Sequence, residues 1–169
     1  MNNNKKTIFY GSVFSKEIIG KKGDFSYMIK NEKDKKRLYI YNENLMQWKM
    51  YNDLEAGGGN ALLRPYRYDS PYNKNKWPRS IGIPTGPNWN HLDENIKRLI
   101  DSAVEQIKEI LNNDEYDEVW WSADKNGLLG VSIFKPDIKV IEYITKKIME
   151  LAQKINGDRW KENFLYYPH

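Results

Sequence analysis

Cysteine is absent from the 169-residue sequence. That single absence removes disulfides, thiolate zinc sites and cysteine nucleophiles. Histidine is nearly absent as well: only His91 and His169 occur, so a histidine-rich metal site is not available. No carboxylate spacing of the EF-hand kind replaces them. The reading therefore calls for no metal and no cofactor. Long hydrophobic runs are missing too, none approaching the ~18 residues that span a bilayer. The opening MNNNKKTIFYG lacks the apolar stretch of a secretion signal. The expectation is a cytoplasmic chain with no membrane partner.

What is present suits one globular unit. A hydrophobic fraction of 40% supports a packed core, and the length suits one α/β domain over 1–169 with a flexible start at 1–6. The net charge of +4 is uneven, because residues 1–50 hold 11 Lys/Arg against 5 Asp/Glu. A basic N-terminal third suits an anionic ligand or nucleic acid. Against nucleic acid, acidic residues are interspersed, no arginine-rich stripe appears, and runs such as Glu32–Lys36 read as solvated turns. The Lys- and Asn-rich composition suits an AT-rich bacterial or phage genome.

The first half reads as strands: Thr7–Phe14, Phe25–Ile29 and Arg37–Tyr41 are aromatic and β-branched. Residues 51–90 are irregular and punctuated by glycine and five prolines, with Ser80–Ile83 as one short strand inside them. Their aromatics, Tyr66, Tyr68, Tyr72, Trp77 and Trp89, favour a packed loop over a free one. The second half alternates helix and strand. Ile96, Leu99, Ile100, Ala103, Val104, Ile107 and Leu111 recur at helical spacing, with Asn90, Asp93 and Glu94 placed to cap the start. Glu118–Trp121 reads as a strand and Val131–Phe134 as another. A second amphipathic helix carries Ile141, Ile144, Ile148, Leu151, Ala152 and Ile155, and stops near Gly157. The aromatic tail RWKENFLYYPH docks on the body.

The sharpest local feature is the glycine triplet Gly57, Gly58, Gly59. Three residues without Cβ let successive backbone N–H groups converge on an anion. It is neither a Walker loop nor a dinucleotide fingerprint. Asn42, Glu43 and Asn44 come off the end of a buried strand, where open α/β sheets place ligand contacts. Ser122 and Asp124 follow a second strand, and the loop Gly127, Leu128, Leu129, Gly130 follows them as a second wall for a diphosphate.

Taken in order, Gly23-Asp24-Phe25-Ser26, Leu38–Asn44, Ala56–Ala61 and Trp121–Phe134 resemble the macrodomain family, which binds ADP-ribose and related nucleotides. The resemblance spans roughly residues 23–155. It implies a three-layer fold, a mixed sheet flanked by helices, with a long aromatic and proline-rich insertion at 64–90. It implies that Asp24 accepts from the adenine amino group and that Asn42 or Asn44 faces the distal ribose. Gly57, Gly58, Gly59 and Asn60 would then wrap the diphosphate from one side and Gly127–Gly130 from the other, with Phe134 or Tyr66 stacking. Family hydrolases place a catalytic residue just past the triplet, where this chain has Asn60-Ala61-Leu62, so binding and sequestration are better supported than turnover. Hydrolysis of an ADP-ribosyl or phosphate ester, with Glu43, Asp53, Glu55 or Asp124 as general base, is the first alternative. A basic, aromatic nucleic-acid-binding module is the second.

Overall fold

The computed structural model describes residues 6–50, 62–67, 73–131 and 135–168. In chain order its elements are β1 (Ile8–Val13), α1 (Phe25–Asn31), β2 (Arg37–Glu43), α2 (Leu45–Lys49), β3 (Ser80–Pro84), α3 (Glu94–Asn113), β4 (Glu118–Ala123), α4 (Ile138–Asn156) and β5 (Phe164–Tyr167). Short 3-10 turns occur at Lys16–Ile18, Arg64–Tyr66 and Gly157–Asn163. The five strands form one sheet in the order β3-β2-β4-β1-β5, and every strand pair is parallel. The sheet is thus parallel rather than mixed. Each parallel step requires a crossover, which the helices supply.

Both faces are covered, so the central strands are apolar on both sides. One face carries Phe9, Leu38, Ile40, Ile81, Ile83, Val119 and Trp121, packed against Ile96, Ile100, Ala103 and Ile107 of α3 and Val140, Ile144, Ile148 and Leu151 of α4. The other carries Tyr39, Tyr41 and Trp120, packed against Met28 and Ile29 of α1 and Leu63. Both long amphipathic helices lie where their apolar periodicity placed them. Asp93 caps α3 by accepting from Ile96 N, and Gly157 ends α4 with a φ of 76°, a conformation glycine adopts without strain.

Phe25–Ile29 departs from its expected strand and forms α1. The alternation of Phe25, Tyr27 and Ile29 imitates a strand, yet Tyr27 is exposed while Met28 and Ile29 are buried. Phe25, Met28 and Ile29 share one helical face, and Asp24 supplies the start. Its carboxylate accepts from Ser26 N at 3.2 Å, satisfying an amide that the first turn leaves open, and from Gly20 N of the preceding turn at 2.8 Å. Of the expected strand Val131–Phe134, residues 132–134 lie outside the described residues and Val131 belongs to no strand. The aromatic tail docks as expected, as edge strand β5 beside β1. Among the described residues, no helix is long and apolar enough to cross a membrane.

Candidate functional site

Adjacent strands β1 and β4 send their following helices, α1 and α4, to opposite faces of the sheet. In an open parallel sheet the carboxyl ends of the strands beside such a reversal are the usual ligand position. Ser122 and Asp124 stand at that edge, at the end of β4, and Asn42 and Asn44 at the end of β2. The turn carrying Asp24 follows β1. Gly57, Gly58, Gly59, Asn60 and Phe134 lie outside the described residues.

Most of these candidates are already engaged in building loops. Both Asp24 oxygens accept backbone amides, one at the start of α1 and one from Gly20 in the turn before it. Asn44 caps α2 by accepting from Gln47 N at 2.8 Å and donating to Gln47 Oε1 at 3.1 Å. Asp124 Oδ1 accepts from Asn126 N at 2.8 Å and Leu128 N at 3.0 Å, while Gly127 N donates to Asp124 O at 3.1 Å. Leu129 N donates to Thr145 Oγ1 at 2.9 Å, and Gly130 N donates to Ser122 O at 3.0 Å. Every amide from Asn126 to Gly130 is therefore spent within the protein. The loop Gly127, Leu128, Leu129, Gly130 does not present the converging N–H groups that an anion cradle needs. Its glycines serve close packing: a β-carbon on Gly130 would lie 2.8 Å from Ala123 O, and Gly127 has a φ of 82°. Leu129 is buried in the core.

Asn42 bridges the two ends. Its Nδ2 donates to Gly130 O at 2.7 Å, joining β2 to the loop after β4, while its buried Oδ1 has no partner among the described residues. The loop is fixed from the far side by β5, whose Tyr166 hydroxyl donates to Gly127 O at 3.0 Å.

A cavity of about 300 Å³ opens beside the end of β2, bounded by Glu43, Trp48, Lys49, Arg67, Ile81, Gly82 and Gln106. That volume is at the lower end for small-molecule sites. Its walls come from α2, β3, α3 and the segment around Arg64–Tyr66. Trp48 and Lys49 precede the glycine triplet, and Arg67 follows it.

Glu43 anchors this wall. Its Oε2 accepts from Arg64 Nη1, and the two side chains are 1% and 0% exposed. Arg64 also donates through Nη2 to Gln47 O at 2.7 Å and Met50 O at 2.6 Å, closing the carboxyl end of α2 onto the sheet. Arg67 Nε donates to Arg64 O at 3.1 Å. Burial pushes the Glu43 carboxyl above the ordinary glutamate range, and the charges of Arg64 and Arg67 oppose that rise. The second carboxylate oxygen, Oε1, lies against Gly82, where a β-carbon would collide with it.

Sequence reasoning missed Trp48, Lys49, Arg64, Arg67, Gly82 and Gln106. One signal was available: Gly82 interrupts the apolar strand SIGIP, and glycine inside a strand often marks a close approach. Arg64 and Arg67 carried no such mark, because exposed arginines read the same way. Among the described residues, no group of three or more His, Asp or Glu side chains is placed to hold a metal ion. No family model, curated protein or solved structure matches the chain.

Proposed function

We propose that the protein binds ADP-ribose or a related nucleotide-type molecule, in the manner of a divergent macrodomain, and sequesters it. The observation that carries the reading is the cavity bounded by Lys49 and Arg67 from opposite flanks of the glycine triplet, with Trp48 as an aromatic wall. Two cations suit a phosphate, an indole suits a base, and a triplet of glycines suits backbone contact with a diphosphate. The parallel sheet with its reversal beside β4 agrees with a ligand at the carboxyl edge. Asn42 holds that edge together. Hydrolysis draws less support: Glu43 is locked in an ion pair and Asp124 Oδ1 is spent on its own turn. Asp53 and Glu55, the other candidate bases, lie outside the described residues.

Thermal-shift and calorimetric titration with ADP-ribose, NAD, cyclic dinucleotides and adenine nucleotides test the proposal. A ligand at 100 times its Kd adds about 2.7 kcal/mol of stability. Gly58→Val is expected to abolish that gain while leaving the far-ultraviolet circular dichroism unchanged. Unchanged affinity in a folded Gly58→Val protein, or no response to any nucleotide, removes the reading.

A further inference from the structure

Among the described residues, three buried side-chain atoms without a hydrogen-bond partner belong to one corner of the fold: Arg37 Nη1, the Tyr39 hydroxyl and Arg79 Nε. Arg37 and Tyr39 alternate along β2 and so share a face of the sheet, while Arg79 directly precedes β3. Tyr39 N donates to Arg79 O at 2.9 Å. Arg79 Nη2 donates to Ile29 O at 2.7 Å, and the Tyr39 ring packs with Met28 and Ile29, so both side chains lie beneath α1. Tyr39 is 0% and Arg79 2% exposed. Burial lowers the Arg79 pKa, and the Tyr39 phenol is first among the groups that oppose it, as close neighbours would be.

What is unmet here is a set of donors. Arg37 Nη1 still touches Glu32 Oε2 at 2.9 Å in an ion pair. The other two atoms have no such relief. An arginine nitrogen only donates, so Arg37 beside Tyr39 cannot take the phenolic proton. Arg79 Nε–H has no acceptor, and no described carboxylate forms an ion pair with Arg79. Glu32 and Glu118 are both paired with Arg37, and Asp34 is exposed. Buried donors left unmet are costly, the more so on a cation. A water serves them poorly, because it brings two protons of its own to place. An anion brings none.

We propose that Arg79 Nε and the Tyr39 hydroxyl hold a small inorganic anion of the halide class between the end of α1 and the start of β3. The burial of both donors sets the size, since a monatomic ion asks for the least room. The anion gives Arg79 the counter-charge that no described carboxylate supplies, and ties α1 to the amino ends of β2 and β3. The nucleotide reading concerns the carboxyl end of β2, so the two stand or fall separately.

The test uses the full chain freed of halide, with sodium gluconate exchanged for sodium chloride or sodium bromide at constant ionic strength, which holds general screening fixed. Either halide is expected to raise Tm by roughly 3 °C or more once it exceeds its Kd tenfold. Arg79→Met is expected to abolish the rise. Tyr39→Phe is expected to weaken the halide about tenfold, the value of one hydrogen bond to a charged group. Wild-type crystals soaked in bromide are expected to show anomalous scattering within hydrogen-bond reach of both Arg79 Nε and the Tyr39 hydroxyl, a result that needs no variant to fold. No rise with either halide overturns the proposal, as does an equal rise in wild type and folded Tyr39→Phe. Water alone at that position, or bromide only elsewhere on the molecule, overturns it too.

Discussion

At the scale of single residues, the buried charges of this protein have named partners in backbone as well as side chains. Arg79 donates to Ile29 O at 2.7 Å, so its charge sits at the carboxyl end of α1, where the helix dipole favours a cation. Burial nevertheless lowers its pKa from the ordinary arginine value. Arg37 pairs with Glu118 at 2.6 Å and Glu32 at 2.9 Å, closing the start of β2 onto β4. Arg64 has the most demanding position, bonded to Glu43 and to two carbonyls at the end of α2. Arg64→Met leaves the Glu43 carboxylate buried without its cation. The expected loss is about 3–5 kcal/mol in urea denaturation. Glu43→Leu combined with Arg64→Met is expected to recover much of it, because removing both charges removes the desolvation penalty as well. A double variant no more stable than the single one would show that the two carbonyl contacts, rather than the ion pair, dominate.

At the scale of elements, the last strand holds parts distant in sequence. β5 pairs with β1 and lays Tyr166 and Tyr167 over glycines: a β-carbon on Gly11 would lie 2.9 Å from the Tyr166 ring, and one on Gly23 3.1 Å from the Tyr167 ring. Through these rings the tail reaches the turn after β1 and the loop after β4. Tyr166→Phe keeps the packing and deletes one hydrogen bond, which costs about 1 kcal/mol. In hydrogen exchange, the amides of Asn126–Gly130 are expected to open faster in this variant, with α3 unaffected. Uniform acceleration across the chain would instead mark a global loss of stability. Elements with strong apolar periodicity were legible in the sequence, namely α3, α4 and the four strands built around Ile8, Leu38, Ile81 and Val119. α1 was not, because in seven residues a period of two and a period of 3.6 select nearly the same apolar positions. The caps at Asp24 and Asn44 read as ligand contacts for a similar reason: the residue types that cap helices are those that bind ligands.

At the scale of the whole molecule, the face covered by α1 is built from buried tyrosines, and this gives the fold a limit in alkali. Burial raises the Tyr39 pKa to about 12 from the ordinary 10.0, with Arg37 opposing the rise. Tyr41 and Tyr116 are raised by burial in the same direction. Between pH 10 and 12 the unfolded chain releases a phenolic proton that the folded chain keeps, so the folded state binds more protons there. Stability is therefore full below pH 10 and falls as pH rises, by up to about 1.4 kcal/mol per pH unit for each such tyrosine. Urea midpoints measured from pH 8 to 11.5 should decline steeply above pH 10. Tyr39→Phe should flatten the decline, and an unchanged slope would show that the tyrosine is not the group responsible.

The sequence by itself determined the class of fold, because hydrophobic periodicity is a local property that burial on either side of a sheet imposes directly. It also excluded cysteine chemistry and histidine-built metal sites through composition alone. Only the tertiary structure decided which strands are neighbours, since parallel pairing is set by crossovers rather than by local pattern. It decided as well that the amides of Gly127–Gly130 are already spent, for a hydrogen bond such as that from Leu129 N to Thr145 Oγ1, 16 residues away, leaves no trace in the motif. The cavity walls at Glu43, Arg67, Gly82 and Gln106 come from four separate stretches of chain. Their charge and shape exist only once β2, β3 and α3 lie side by side.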